Sequence, residues 1–183
     1  MIILFATELE AAPFRKACPA AQIVICGVGG AECAATTASL IASLSSCSAP
    51  FPTLVLGGIA GSYDLDDVAI GEVVEVCSEQ IEALPERFGV KYTCEARTSL
   101  RQVSSNSVNT SLECQAPTAQ IENMEGAAFM AVCQRAGVRC MQLRAISNRV
   151  GDPFSLWQVD TACAALAQAL VSHCFLTASG GRG

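Results

Sequence analysis

The stretch IENMEGAAFMAVCQRAGVRCMQLRAISNRVGDP, Ile121 to Pro153, leaves few folds open. A short extended run, Thr118 to Glu122, leads into a segment from Glu125 to Ala136. There the apolar residues Ala128, Phe129, Val132 and Ala136 recur at helical spacing. Gly137 reads as a helix stop. Val138 to Ile146 is then a mostly apolar strand, interrupted by Arg139, Gln142 and Arg144. Strand, helix and strand in close succession form a unit of an α/β sheet with parallel pairs. In such sheets ligands bind beyond the carboxyl ends of the strands. Glu125 and Asn148 stand where a strand gives way to a helix or a loop, so both are placed where chemistry is expected.

The first third of the chain has the same order. Met1 to Ala6 reads as a strand, and Thr7 to Ala17 as a helix that Pro13 is expected to kink or end early. Gln22 to Cys26 is a strand closing on Gly27-Val28-Gly29-Gly30, and Ala31 to Ser46 is a helix rich in small residues. After a loop over Ser45 to Pro52, Thr53 to Leu56 is a third strand, expected to close on a glycine turn, GGIAGS, at 57 to 62. Ile70 to Cys77 alternates as a strand does. Ser78 to Asn106 reads as a loop with one or two short edge strands, and Gln102 to Asn109 as a further strand. Leu156 to Leu176 is expected to be the last helix. One domain over residues 1–178 and a disordered tail over 179–183 complete the reading.

Composition narrows the class. The 183 residues are 51% hydrophobic and 15% charged, with a net charge of −6, enough for a real core. An acidic chain with no basic run argues against nucleic acid and anionic membrane surfaces as partners. No apolar run reaches the roughly 18 residues of a membrane span, and the opening MIILFA is too short for a signal core. The 11 cysteines include no CxxC pair and sit in apolar stretches, as buried thiols of a reducing cytoplasm do. With a single histidine, His173, neither a zinc site nor a histidine-dependent triad is expected.

Several polar residues admit two readings. In ATELE, Thr7 and Glu10 have the spacing of a capping box, and Glu8 suits a helix start. Alternatively, a carboxylate here projects past the strand end into a pocket. The glycines at 27, 29 and 30 fit an anion-binding turn or simply close strand-to-helix packing. Glu125 is a first-turn helix charge or a ligand group, Met124 a core side chain or a pocket wall, and Asn148 a turn residue or a hydrogen-bonding group for a ligand. Glu122 is expected to point elsewhere, and Arg144 to be buried with an acidic partner such as Glu122.

NMEGAA followed by RAISN resembles the nucleoside phosphorylase and nucleosidase superfamily. Its nucleosidase branch has a Met-Glu pair opening a helix and an Arg-Ala-Ile-Ser-Asp/Asn strand end about twenty residues later. The resemblance covers roughly residues 1 to 80 and 105 to 160, and the segment from Ser78 to Asn106 is shorter than its family counterpart. It implies a three-layer α/β/α sandwich around a mixed, largely parallel central sheet. It implies that Glu10 activates water, that Met124 and Glu125 hold the ribose, and that Gly58, Ile59, Ala60 and Gly61 wall the base and ribose pocket. The segment SVNT, with Asn109, supplies a further base contact, and Phe154 and Trp157 form part of a lid. Where the adenine-specific nucleosidases have Asp, this chain has Asn148, which suits a 6-oxopurine. Phosphorylases carry Gly-Asp-Pro and Arg at the end of their first strand; Thr, Glu, Leu and Glu stand here instead, which suits water over phosphate. The implied reaction is hydrolysis of futalosine to hypoxanthine and dehypoxanthinyl futalosine, with no metal or organic cofactor. The alternatives are a methylthioadenosine/adenosylhomocysteine nucleosidase and a non-catalytic nucleoside-binding relative. A homo-oligomer in the cytoplasm, with a neighbouring subunit completing the pocket, is part of the same expectation.

Overall fold

The computed structural model describes residues 1–45, 50–82, 84–110 and 118–175. Eight strands form one mixed sheet: β1 (Ile2–Phe5), β2 (Ile23–Ile25), β3 (Leu54–Ser62), β4 (Val73–Ile81), β5 (Lys91–Thr93), β6 (Arg101–Ser107), β7 (Ile121–Asn123) and β8 (Cys140–Arg149). Pairing is parallel for β1–β2, β1–β3, β3–β8, β4–β6 and β6–β7, and antiparallel for β3–β7, β4–β5 and β4–β8. The pairs β3–β8–β4–β6–β7 return to β3, so half of the sheet curls into a closed ring. Its interior is filled by Val74, Val76, Val103, Ile121 and Ile146. This ring brings β3, β7 and β8 to one rim, which is where the site lies.

Two helical layers cover the sheet. On one face α1 (Glu8–Ala17) and α4 (Val159–Leu170) press Phe14, Leu166 and Leu170 against Ile3, Phe5, Val55 and Leu143. On the other, α2 (Gly30–Ser45) and α3 (Gly126–Arg135) press Cys33, Ile41, Phe129 and Met130 against Leu4, Leu54 and Leu56. This is the expected three-layer α/β/α sandwich with a largely parallel sheet. Strand β8 has nine of its ten residues buried because both faces are covered. Among the described residues no helix is long and apolar enough to cross a membrane.

Four expectations about the elements change. Strand β3 does not end in a glycine turn but runs straight through Gly57, Gly58 and Gly61 to Ser62. Strand β4 extends to Ile81, so much of the segment read as loop is sheet. Pro13 lies inside α1 without ending it. The last helix starts at Val159, after a short 3₁₀ turn at Phe154–Leu156, and continues as a π turn over Val171–Phe175. The tail at 179–183 lies outside the described residues.

Helix α3 stops where the sequence implies. Gly137 has φ +66°, a conformation that costs an L side chain about 1 kcal/mol or more. No atom would crowd a Cβ there, so the backbone alone sets the cost. Gly137→Ala should therefore lower the unfolding free energy by about 1 kcal/mol, and Gly137→Asn by less, measured by urea titration.

Candidate active site

A cavity of about 400 Å³ opens at the rim, lined by residues from six segments that are far apart in sequence. Glu10 reaches it from the first turn of α1. Thr7 and Glu10 do form the capping box: the Glu10 amide donates to Thr7 Oγ1 at 3.3 Å, and Glu10 Oε2 accepts from Thr7 N at 3.0 Å. Thr7 Oγ1 donates to the same oxygen at 2.8 Å, and Ile59 N donates to Glu10 Oε1 at 3.0 Å. The cap and the cavity wall are thus the same carboxylate. The cap holds Oε2 and the Ile59 amide holds Oε1, so both oxygens are fixed at the strand end.

Glu125 reaches the cavity from the N-terminus of α3. It sits at the N-cap position but makes no capping bond. Asn123 caps in its place, its Oδ1 accepting from Glu125 N at 3.0 Å and Gly126 N at 2.7 Å. The Glu125 carboxylate is free to turn outward, where Gly29 N donates to Oε1 at 2.9 Å. Gly27 and Gly29 have φ near +85° (82° and 87°), and the turn presents the Gly29 amide to the Glu125 carboxylate. Arg144, 1% exposed, lies beneath: its guanidinium is 3.4 Å from Glu125 Oε2 and donates to Asn123 Oδ1 at 2.8 Å. The acidic partner of Arg144 is therefore Glu125, not Glu122 as expected.

Asn148 comes from the end of β8. It is buried, its Oδ1 accepting from Ser147 Oγ at 2.7 Å and its Nδ2 donating to the Arg149 carbonyl at 2.8 Å. Met124, Ile59, Ala60, Gly61, Phe154 and Trp157 line the same cavity. Gly58 does not. A Cβ at Gly58 would collide with Arg144 Nη1, so this glycine makes room for the guanidinium and is no pocket wall. Asn109 is exposed and lies outside the lining, where its neighbour Val108 stands instead. Leu9, Val28 and Phe154 are exposed apolar residues at the mouth.

Glu122 and Asn123 line the cavity and escaped the sequence reading. Glu122 is buried, faces the cavity, and accepts from Tyr63 OH at 3.0 Å. It stands at the carboxyl end of the extended run before the helix, where ligand groups gather in α/β sheets, and that placement was the available signal. Among the described residues the lining holds three carboxylates and no Lys, Arg or His. Among the described residues no group of three or more His, Cys, Asp or Glu is arranged to hold a metal ion.

A model of the phosphorylase superfamily matches residues 80–175, just over half of the chain, and the chain belongs to that superfamily. A futalosine hydrolase from Thermus thermophilus is 47% identical over 53 residues, 28% of this chain and 24% of that protein's length. Among solved structures, a 5′-methylthioadenosine/S-adenosylhomocysteine nucleosidase from Helicobacter pylori superposes with a TM-score of 0.80 at 16% identity, over 94% of this chain and 96% of that one. A futalosine hydrolase mutant from Helicobacter pylori also gives 0.80 at 16% identity, over 94% and 97%. A 5′-methylthioadenosine nucleosidase from Arabidopsis thaliana gives 0.76 at 17%, over 100% and 96%. These relatives and neighbours are nucleosidases, and at such identities the superpositions establish the fold.

Behind the cavity, Glu79 is fully buried and accepts from Gln142 Nε2 at 2.9 Å, Ser107 Oγ at 3.0 Å and Asn123 Nδ2 at 3.1 Å. Burial pushes its carboxyl above the usual range, against Arg144 and these donors, which pull it down. A carboxyl raised in the folded state binds its proton more tightly there than in the unfolded chain. Its contribution to stability is complete below the unfolded value, about 4.3, and is lost as pH rises through the folded value. Glu79→Gln should therefore gain stability relative to the parent as pH rises from about 4.5 to 8, read from urea midpoints across that range. The opposite trend would mean that the donors outweigh burial.

Proposed function

We propose that this protein is an N-ribosyl hydrolase acting on a purine nucleoside. The observation that carries the reading is the convergence of Glu10, Glu125 and Asn148 on one cavity whose lining, among the described residues, holds no cation. A volume of about 400 Å³ is in the range of small-molecule sites. Three carboxylates repel phosphate but favour water and the positive charge that develops on the sugar as the C1′–N9 bond stretches.

In this reaction water attacks C1′ and the C1′–N9 electron pair leaves with the base. Glu10 accepts a proton from that water, and the departing purine takes one from solvent. Glu125 accepts hydrogen bonds from the two ribose hydroxyls, with Met124 against the sugar. Asn148 donates and accepts along the O6/N7 edge of hypoxanthine. Futalosine is the substrate we favour. The partial match to a futalosine hydrolase and the amide at position 148 support it over a methylthioadenosine-type substrate. Eight cysteines of the described residues are free thiols, which supports a cytoplasmic setting. The apolar mouth at Leu9, Val28 and Phe154 supports its cover by a second copy of the chain.

The test follows hypoxanthine release from futalosine with and without phosphate, beside inosine and methylthioadenosine. Release should be independent of phosphate. Glu10→Gln should lower kcat by about 100-fold or more, whereas Glu125→Gln should raise KM as well. Release that requires phosphate, or none from any of the three, refutes hydrolysis.

A further inference from the structure

In a capping box the carboxylate at the third helical position accepts from one donor, the backbone N–H of the cap. Glu10 is held by more than that. Its Oε2 accepts from Thr7 N at 3.0 Å and from Thr7 Oγ1 at 2.8 Å, while Oγ1 in turn accepts from Glu10 N at 3.3 Å. Its Oε1 accepts from Ile59 N at 3.0 Å, an amide of β3 that is 49 residues away in sequence. A local cap is thereby tied to the central sheet. Glu10 is buried, and both it and Thr7 line the cavity.

The count of these bonds distinguishes the two oxygens. A carboxylate has room for about four hydrogen bonds, two at each oxygen. Thr7 fills both places on Oε2, and Ile59 fills one on Oε1. The lone pair that is left belongs to Oε1.

The hydroxyl of Thr7 does more than a cap requires. A cap needs only an acceptor for the Glu10 amide, and Asp supplies one at least as well as Thr. The hydroxyl supplies that acceptor and a donor too, which an ionised Asp lacks. Its one hydrogen is directed at Glu10 Oε2.

We infer that Thr7 is a positioning residue for the reaction: by filling both acceptor places on Glu10 Oε2 it leaves Oε1 as the oxygen that acts as base. One proton of the attacking water passes to the open lone pair of Oε1 as the water oxygen bonds to C1′. The C1′–N9 pair leaves with the purine, which takes its proton from solvent. Thr7 acts in this step only through Glu10. This rests on reading Glu10 as the water-activating carboxylate and names what selects its reacting oxygen. The alternative role for Thr7 is capping alone.

Three substitutions separate the donor from the cap. Thr7→Val keeps the shape and removes both, Thr7→Asp keeps the cap and removes the donor, and Thr7→Ser keeps both. With whichever of the three nucleosides the wild type hydrolyses, Thr7→Val and Thr7→Asp should each lower kcat by about tenfold or more, with KM within about twofold of the wild type. Thr7→Ser should retain most of the rate. The urea midpoint should fall clearly in Thr7→Val alone, because an acidic cap suits a helix start. Full activity in Thr7→Asp, or a loss of rate that follows the urea midpoint, overturns the inference.

Hydrogen exchange at the Ile59 amide reads the same role without turnover. Relative to neighbouring β3 amides it should quicken in Thr7→Val and Thr7→Asp, where the Glu10 carboxylate is loosened, and not in Thr7→Ser. Unchanged exchange in both of the first two also overturns the inference. That exchange pattern in a protein that hydrolyses none of the nucleosides would sink hydrolysis alone and leave Thr7 as the residue that positions Glu10.

Discussion

The site depends on the carboxamide of Asn123. Its oxygen takes three donors, Glu125 N, Gly126 N and Arg144 Nη2, and its nitrogen is held by Glu79 and by Ser105 Oγ at 2.8 Å. A helix N-terminus needs such an acceptor, and an N-cap carboxylate commonly supplies it by folding back over its own helix. Here Asn123 supplies it from the end of β7, which leaves Glu125 to face the cavity. The same oxygen pulls the Arg144 guanidinium under Glu125. Gly126 completes the arrangement: a Cβ there would strike Glu79 Oε2 and lie 2.7 Å from the Gln142 amide. One amide thus couples a helix start, a buried ion pair and the orientation of a cavity-lining carboxylate.

That coupling bears on the electrostatics. A buried Arg–Glu pair stabilises little in net terms, because desolvation offsets much of the attraction. Its consequence here is positional. The guanidinium stays below the cavity floor, and its reach to Glu125 is 3.4 Å, long for a charge-assisted bond. The positive charge is sequestered while the carboxylate surface is presented. A cation on the lining itself would attract anions such as phosphate. Placed beneath, it orients Glu125 without doing so.

Much of this was legible in the sequence, and what was not has physical reasons. Glu10, Glu125 and Asn148 stand at strand ends, but on local pattern alone they read first as a cap, a first-turn charge and a turn residue; the family resemblance singled them out, and all three line the cavity. Strand β3 was cut short because GGIAGS carries the composition of a turn. Its glycines instead make room, Gly58 for Arg144 and Gly61 for Glu122 and Asn148, its partners on β7 and β8. Strand β4 was read as loop beyond Cys77 because Pro85, Gly89 and scattered charges follow it. Glu79 points inward all the same, into a network whose donors lie 28 to 63 residues away in sequence. Long-range hydrogen bonding of that kind leaves no local periodicity. The placement of Arg144 with Glu125 was hidden for the same reason.

The environment of Asn148 shows why an amide suits this position. Its Nδ2 faces the carbonyl oxygen of Arg149. An ionised carboxylate would set one lone pair against another there, so an acid at this point would have to be protonated or move. The amide needs neither. It is also unable to protonate N7, so in the proposed reaction that proton comes from solvent, and the amide then accepts from N7–H while it donates to O6. In the proposed reaction the rate then rests on Glu10 and Glu125 at the sugar, carboxylates that the starts of α1 and α3 bring to one cavity.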